Sequence, residues 1–477
     1  MQERVLIAGG GVGGLTAALA FSRAGHEVTL LERDELKPLA DAAEAFATER
    51  RGAPQVHQTH GFLARLQVTL RDRFPDVLAD LLAAGGMTMP MTSALGEKRA
   101  GDEDLQVIIV RRSTLEWVLR KAVVAQDHVD VRTGVGVAGL LSSGATPDGV
   151  PIVSGVRLDD GTTLEADVVI ACTGRRGAIP EWLATLGVDV PERIHESGLM
   201  YLTRWYHRPA EALPPDPKLG GDLGFVKYLA VPGDGDTLSV TLAVRTADSD
   251  LRAALSDPDR FDHACHLLPG PDLFFNEDTA TMEPLGDVRP MAGLLNRLRR
   301  FTDADGQPTV VGFHVLGDAH TMTNPLYGRG CSLAAVQAVL LADAFAAHPD
   351  DPVARSAAYE AANQIEIEPW FESAVQMDKL GADPAGTGSL GGGGGEGSDA
   401  AKAMGAVFVA AQTDPVIGRG IARFMNLLAT PMQLMADGEL MTRIAEVMAD
   451  PSAYPVPPRE GPTRAELLDQ LGGELVA

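Results

Sequence analysis

The chain has 477 residues, of which 45% are hydrophobic, which is enough for two or three domains with apolar cores. Its formal net charge of −25 would repel a phosphate backbone, so nucleic acid is not an expected partner. The cysteines have no C-x-x-C spacing, which predicts reduced thiols in a cytoplasmic protein, without disulfides or a metal site. A predicted strand begins at Val5, so no signal peptide is expected, and no apolar run approaches the ~20 residues that a membrane span needs.

The first predicted elements form a strand–turn–helix–strand unit. "VLIAGG" is a continuous apolar run, a helical pattern follows and ends near Gly25, and a second strand ends at Glu32. Gly9, Gly11 and Gly14 fit G-x-G-x-x-G, in which the glycines make the tight turn, admit a pyrophosphate and let helix and strand pack. Glu32 is placed to accept hydrogen bonds from a ribose. The order predicts dinucleotide binding, and a purely structural turn is the alternative.

A second G-x-G-x-x-G occurs at Gly134, Gly136 and Gly139. A turn-rich stretch follows it in place of a helix, so we predict one strand over residues 129–141 and no second nucleotide site. "VSGVRLDDGTTLEADVVIACTG" is then predicted to form two strands joined by an Asp-Gly turn. A single dinucleotide site argues against a reductase with its own NAD domain.

A later stretch, "LGDAHTMTNPLYGRGCSLAAVQAVLLAD", places Gly317, Asp318 and Pro325 ahead of a helix predicted from Gly330. So many turn-forming residues before a helix suit a helix N-terminus that faces a ligand. A tight turn with a helix cap is the alternative.

The remaining chain divides by composition. Residues of about 190–284 are predicted to form an antiparallel sheet with a helix capped by an Asp. Residues 381–400 are predicted to form a flexible Gly/Ser-rich linker or loop, and residues 401–449 are helical and apolar. For the methionines of that last region we expect core packing, with an apolar ligand face as the alternative. These residues are Met404, Met425, Met432, Met435 and Met441.

The glycine-rich opening, "RRSTLEWVLRKA", "ADVVIACTGRRG" and "GDAHTMTNPLYGRGCSLA" occur in an order that resembles the flavoprotein monooxygenases of the aromatic-hydroxylase type. The resemblance is closest to bacterial olefin epoxidases of polyether biosynthesis, which carry "GVPQ…H-x-H". This chain has "RRGAPQVHQTHGFL", with Gln58 where the first histidine is usual.

The resemblance implies an α/β fold. It has a Rossmann-like FAD-binding domain of the glutathione-reductase type, an antiparallel β-sheet substrate domain and a C-terminal helical region. The expected FAD-binding domain is discontinuous, with residues 1–185 and 285–345. The substrate domain would be residues 186–284 and the helical region residues 346–477.

The same resemblance assigns the two glycine-rich segments to the two halves of FAD. The first turn would hold the ADP half, and Asp318 would bond a ribityl hydroxyl or the adjacent phosphate. The following helix N-terminus would stabilise the anionic reduced ring. Arg112 would contact a phosphate or ribityl oxygen, with a solvent-facing arginine as the alternative. The implied FAD-contacting residues are Gly9, Gly11, Val12, Gly14, Glu32, Arg33, Arg51, Gln55, Arg112, Val137, Gly174, Asp318, Pro325, Gly328, Gly330, Cys331 and Ser332.

The implied reaction places few demands on protein side chains, because a flavin hydroperoxide formed with O2 would deliver the oxygen atom. The candidates on the substrate side are His60, Arg204 and Tyr206. His60 could be a base or proton donor, or a buried histidine bonded to backbone. No metal is expected. Thr173-Gly174 replaces the Asp-Gly that aromatic hydroxylases link to FAD and NADPH, so NADH or NADPH could act directly or through a flavin reductase.

The leading hypothesis is an FAD-dependent monooxygenase that epoxidises or hydroxylates a bulky hydrophobic secondary metabolite, with epoxidation slightly favoured. An FAD-dependent reductase or dehydrogenase of an isoprenoid-like substrate is the first alternative. A non-enzymatic flavin-binding regulator is the second. The W-x-W-x-I-P motif of halogenases is absent from the sequence.

Overall fold

The computed structural model describes residues 2–209, 219–275, 281–382, 399–457 and 460–472. Its strands are β1 Arg4–Ala8, β2 Glu27–Glu32, β3 Met87–Pro90, β4 Gln106–Ile109, β5 Val129–Thr133, β6 Val137–Ala145, β7 Pro151–Leu158, β8 Thr163–Glu165, β9 Val168–Ala171, β10 Glu192–Glu196, β11 Leu199–His207, β12 Gly220–Asp222, β13 Val226–Gly233, β14 Thr237–Arg245, β15 Glu283–Pro284, β16 Arg289–Met291, β17 Leu295–Arg299, β18 Phe313–Val315 and β19 Thr321–Met322. Its helices are α1 Val12–Arg23, α2 Ala42–Ala47, α3 Ala64–Arg73, α4 Pro75–Ala83, α5 Arg112–Val124, α6 Ile179–Ala184, α7 Ser249–Ser256, α8 Pro258–Leu267, α9 Gly330–Ala347, α10 Pro352–Glu366, α11 Glu368–Ala382, α12 Asp399–Ala410, α13 Pro415–Met425, α14 Pro431–Met435, α15 Gly438–Ala449 and α16 Arg464–Gly472.

A parallel sheet in the order β18–β9–β1–β2–β5 forms the centre of the first region. Along β1, Val5 and Ile7 pack with the helices α1, α5 and α9, while Leu6 packs on the opposite face, against strands β6 and β7. Both faces of β1 are therefore covered, which explains why it is a continuous apolar run. The late strand β18 pairs with β9, so the chain returns to its first sheet and brings α9 against α1. The predicted α/β fold class is confirmed.

The prediction of one strand over residues 129–141 is wrong. β5 ends at Thr133 and β6 begins at Val137, and Gly134 lies between them with φ +71°. A left-handed residue turns the chain out of the parallel sheet and into the antiparallel sheet β6–β7–β8. After Gly139 the chain continues in β6, and no helix begins there. The stretch after it holds three strands, β7, β8 and β9, where two were predicted.

A larger antiparallel sheet, in the order β12–β13–β14–β11–β15, is built from the middle of the chain, with β16 beside β11. Helices α7, α8 and α16 cover one face of it, where residues such as Leu202, Val240 and Phe261 are buried. Asp257 caps α8 as predicted, since its carboxylate accepts hydrogen bonds from the first backbone N–H groups of that helix. The domain boundaries that the resemblance implied stay predictions.

The C-terminal helices α12, α13 and α15 share a small apolar core of their own. Most of the predicted linker, residues 383–398, lies outside the described residues, and its flanks are the ends of α11 and α12. The expectation of methionine core packing is wrong for Met404, Met432, Met435 and Met441, which are exposed, while α12, α13 and α15 bury valine, isoleucine and leucine. Met425 is half-buried.

Helix α9 meets the length and composition of a membrane span. Its 18 residues are mostly apolar, and 61% of them are buried inside the fold. A central helix of a folded domain has the same properties, since both of its sides pack against protein.

Candidate functional site

One cavity of about 600 Å³ joins the two glycine-rich segments to the large antiparallel sheet. Fourteen implied FAD-contacting residues line it, namely Gly9, Gly11, Val12, Glu32, Arg33, Gln55, Arg112, Val137, Gly174, Asp318, Pro325, Gly328, Gly330 and Cys331. His60 lines it as well. Segments that are hundreds of residues apart in sequence thus meet at a single site.

The first glycine turn has the geometry that close backbone packing demands. A Cβ atom at Gly14 would lie 1.8 Å from the carbonyl oxygen of Gly9, and one at Gly9 would lie 2.3 Å from that of Cys172. Gly14 therefore serves helix–strand packing and does not line the cavity. A Cβ at Gly11 would have no protein atom within 4 Å, so this position opens on the cavity. Such an opening at the start of α1 fits a pyrophosphate.

Glu32 holds the glycine turn from the end of β2. Its Oε2 accepts a hydrogen bond from the Gly10 N–H at 2.9 Å, and its Oε1 accepts one from the Asp34 N–H at 2.9 Å. The carboxylate also lines the cavity. These two hydrogen bonds orient the Glu32 carboxylate, which would make the expected contact with the ribose.

Besides the expected Arg33, Arg50 lines this end of the cavity, where Arg51 was expected. Arg50 is 5% exposed and forms ion pairs with Glu32, Asp34 and Glu116 at 2.9–3.0 Å. Arg51 is exposed and lies outside the cavity wall. The two arginines are adjacent in a loop, where no helix or strand periodicity applies, so the sequence does not show which of them is buried at the site.

The same charge network continues to Arg112 at the start of α5. Glu116, which is 2% exposed, binds Arg50 through Oε2 and Arg112 through Oε1 at 2.9 Å each. Burial alone would raise the pKa of Glu116, but the charges of Arg112 and Arg50 hold it below its ordinary value. Arg112 is thereby fixed at the helix start with its guanidinium at the cavity, which disfavours the alternative of a solvent-facing arginine.

His60 is held in a single tautomer by two neighbours. Its Nδ1 contacts the Gln58 carbonyl oxygen at 2.9 Å, which requires a proton on Nδ1. Its Nε2 lies 3.2 Å from Nη1 of Arg112 and accepts that hydrogen bond. Burial and the charge of Arg112 lower the pKa of His60 to about 3. The neutral ring and its occupied lone pair disfavour the expected role as a base or proton donor and favour the alternative of a buried histidine bonded to backbone.

Asp318 follows β18 and faces the N-terminal end of α9. Its carboxylate makes no hydrogen bond with the described part of the chain, although it lines the cavity. Burial raises the pKa of Asp318, while the charges of Arg112, Arg297 and Arg175 act in the opposite direction. A carboxylate that faces the cavity and lacks a donor fits the hydroxyls of a ribityl chain.

Two buried hydroxyls at the cavity wall also lack partners among the described residues. These are Oγ1 of Thr173, after β9, and Oγ1 of Thr323, before the Pro325 turn. Buried hydroxyls are normally hydrogen-bonded, so both fit a bound polar molecule. The Oγ of Ser332 also lacks a partner among the described residues, but Ser332 is buried in α9 and does not line the cavity, so its expected cofactor contact is not supported.

Arg204 and Tyr206 share a face of β11, as predicted, but that face points away from the cavity. Arg204 forms an ion pair with Asp262 of α8 at 2.7 Å, and the Tyr206 hydroxyl donates to the same carboxylate at 2.6 Å. The two side chains therefore attach α8 to the sheet. Their assignment to the substrate side is wrong, because the side chains of a strand alternate and this face is covered by helix.

The opposite face of the sheet supplies the cavity wall, with residues that the sequence analysis did not select. Tyr201 of β11, Lys227 and Leu229 of β13, and Thr241 and Ala243 of β14 line the cavity. Because side chains alternate along a strand, Tyr201 lies on the face opposite Arg204 and Tyr206, and it could have been predicted once the helix-covered face was known.

Comparison with known proteins agrees with this geometry. Residues 2–204 match the family described as FAD binding domain. This region is an FAD-binding domain. No curated protein matches the sequence of the chain.

Among solved structures, PqsL of P. aeruginosa in complex with 2-aminobenzoylacetate has a TM-score of 0.60 and 18% identity, over 80% of this chain and 95% of that one. p-Nitrophenol 4-monooxygenase PnpA of Pseudomonas putida DLL-E4 has a TM-score of 0.63 and 16% identity, over 90% and 98%. The Diels-Alderase PyrE3 has a TM-score of 0.62 and 17% identity, over 89% and 80%. The chain thus has the fold of FAD-dependent monooxygenases.

Proposed function

We propose that the protein is an FAD-dependent monooxygenase that inserts one oxygen atom from O2 into a bulky hydrophobic secondary metabolite. The observation that supports this best is the continuity of the cavity. The turn at Gly11, the carboxylate of Asp318 and the strand face of Tyr201 and Leu229 open on the same space. A cofactor bound along the two glycine-rich segments would therefore border directly on an apolar compartment.

When bound, FAD would supply the redox chemistry that activates O2. The side chains of this protein would orient the cofactor and keep water away. Arg112 would stand beside a phosphate or ribityl oxygen, and the N–H groups at the start of α9 would face an anionic ring. Leu326 and Met291 line the space next to the Tyr201 strand and would exclude water from it.

Between the two oxygenation reactions, the structure of the His60 site supports epoxidation slightly more than ring hydroxylation. Hydroxylation of a phenol gains from a base that forms the phenolate, whereas an alkene needs none. His60 does not offer this base, because its Nε2 accepts a hydrogen bond from Arg112. The closer resemblance to polyether-type olefin epoxidases points the same way.

We further propose that NADH or NADPH supplies electrons, either directly or through a separate flavin reductase. A reductase or dehydrogenase acting on an isoprenoid-like substrate would use the same cavity without consuming O2. PyrE3, named a Diels-Alderase, shows that the fold alone does not decide the reaction.

Oxygen consumption separates these possibilities. The purified, FAD-loaded protein would be reduced with NADH, with NADPH or with a flavin reductase, and hydrophobic polyenes and phenols would be added in an oxygen electrode. We expect substrate-stimulated O2 uptake matched by an oxygenated product. Turnover of the same substrates without O2 would support the reductase and contradict the monooxygenase.

A further inference from the structure

A buried ion pair lies at the substrate end of the cavity, on the strand face that carries Tyr201. Lys227 of β13 stands opposite Asp222 of β12 in the sheet register, and its ammonium donates to the Asp222 carboxylate. The two side chains are only 8% and 5% exposed, although β12 is the last strand of its sheet. Charged residues on such edge strands usually face water.

The ion pair leaves hydrogen-bonding capacity on the lysine. Asp222 is held at both oxygens, since Oδ1 accepts the Gly224 N–H at 2.7 Å and Oδ2 accepts Lys227. An ammonium has three N–H donors, and within the described residues only Asp222 receives one from Lys227. A buried donor without a partner is unfavourable, so a ligand acceptor in this position would be stabilised.

The N–H donors of Lys227 that Asp222 does not use are available to the cavity, which Lys227 lines. Among the residues that β11, β13 and β14 contribute to the cavity wall, it is the only charged one. Its register partner on β14, Ala243, carries a methyl group and supplies no acceptor. Leu229 on the same strand, and Met291 and Leu294 on other segments, add apolar surface to the cavity wall. A small number of polar groups in an apolar wall is the usual means by which a pocket orients its ligand.

We propose that Lys227, positioned by Asp222, anchors the substrate by donating a hydrogen bond to an uncharged oxygen acceptor, such as a ketone or ester carbonyl. This inference rests on the function proposed above, because it takes the sheet side of the cavity as the substrate side. The Lys227–Asp222 pair is neutral overall. A carboxylate would add an uncompensated negative charge beside Asp222, so a carbonyl compound is favoured over an acid.

Three probes of equal ring size test the donor and its charge preference: 2-acetylnaphthalene, 2-ethylnaphthalene and 2-naphthoate. Their binding to the FAD-loaded protein would be measured as a change in the flavin absorbance spectrum. A hydrogen bond to a charged group contributes about 1.5–3 kcal/mol, so we expect acetylnaphthalene to bind roughly 10- to 150-fold more tightly than ethylnaphthalene. Naphthoate should bind more weakly than the ketone.

Two variants and one control locate the effect. Lys227→Met should remove the preference for the ketone and leave the Kd of ethylnaphthalene within about threefold. Asp222→Asn should leave the ammonium with its full positive charge and shift the preference towards naphthoate. Lys98→Met, at an exposed lysine away from the cavity, should change nothing.

An unchanged ketone preference in Lys227→Met would overturn the proposal, as would naphthoate binding most tightly to the unmodified protein. Absence of flavin perturbation by all three probes would overturn it as well, because the sheet side would then not be a ligand site beside the cofactor. Probe binding does not require O2. A protein that prefers the ketone but never consumes O2 would therefore contradict the monooxygenase assignment and leave the role of Lys227 intact.

Discussion

Glu116 is the residue on which the buried charges of the FAD-binding domain depend. Its carboxylate is shared by Arg50 and Arg112, and all three side chains are removed from water. Glu116→Gln would leave two buried guanidinium groups without their shared anion. We expect the free energy of unfolding to fall by about 3–5 kcal/mol, measured by urea denaturation of the apoprotein.

The pH dependence of this variant supplies the control. Because the pKa of Glu116 is lowered in the folded state, its contribution is fully present above the unfolded-state pKa of about 4.3 and is lost as the pH falls from there through the lower folded-state pKa. Glu116→Gln should therefore lose less stability on acidification than the unmodified protein. Glu35→Gln, at an exposed position, should behave as the unmodified protein does. Equal acid sensitivity of all three proteins would contradict the described network.

His60 yields a prediction about activity. A ring with a pKa of about 3 stays neutral over the whole neutral range, so His60→Ala should leave the shape of the pH–rate profile unchanged between about pH 5 and 9. Arg112 loses its neighbour, so FAD affinity should fall in the same variant. A rate inflection near pH 6.5 that disappears in His60→Ala would show that the imidazole acts as a base after all.

Single residues were predicted with uneven success, and the reason is geometric. Strand alternation correctly placed Arg204 and Tyr206 on one face of β11. It could not say which face α8 covers, because that depends on Asp262, which is more than fifty residues later in the chain. The choice of Arg51 over Arg50 failed for a related reason, since the carboxylates that select Arg50 lie in β2 and α5.

The glycine turn that precedes α1 is an element whose two functions can be separated. Gly14→Ala would place a methyl group 1.8 Å from the Gly9 oxygen, so the apoprotein itself should be destabilised, by about 1–3 kcal/mol or more. Gly11→Ala meets no protein atom within 4 Å and has a φ of −84°, so the apoprotein should remain as stable as before.

Titration of the two apoproteins with FAD completes this prediction. Gly11→Ala should bind FAD about tenfold more weakly or worse, because the added methyl group occupies the space in which the pyrophosphate would lie. If Gly11→Ala binds FAD normally, the cofactor does not approach this turn. If Gly14→Ala is as stable as the unmodified apoprotein, α1 does not pack against β1 as closely as described.

The element formed by Gly317, Asp318 and the start of α9 gives a second cofactor test. Asp318→Ala should weaken FAD binding roughly 10- to 150-fold with no loss of apoprotein stability, since the carboxylate makes no hydrogen bond within the described residues. Flavin fluorescence titration measures the affinity. Asp318→Asn keeps one acceptor oxygen, so its affinity for FAD should lie between that of the unmodified protein and that of Asp318→Ala. Unchanged affinity in Asp318→Ala would remove this carboxylate from the site.

Elements whose signal is local were predicted well, and those set by their neighbours were not. The helix from Gly330 and the cap at Asp257 depend on adjacent residues, and both occur as expected. The strand predicted over residues 129–141 divides at Gly134 because its two halves join different sheets. Hydrophobic pattern alone does not record which sheet a strand joins.

For the whole molecule, the resemblance carried by the order of the motifs was sufficient to predict the α/β architecture. The late motif is recognisable because Gly317-Asp318 and the helix start at Gly330 are local signals. The substrate side could not be predicted in the same way. Its wall combines residues from β11, β13 and β14, and the role proposed for Lys227 depends on Asp222 of a neighbouring strand.

The central claim is that this protein transfers one atom of O2 to a hydrophobic substrate. The most direct measurement is turnover of the FAD-loaded protein under ¹⁸O2, with mass spectrometry of the product. We predict a product that contains one ¹⁸O atom, with the second atom of the molecule released as water. A product without the label, or product formed equally well in the absence of O2, would contradict the account.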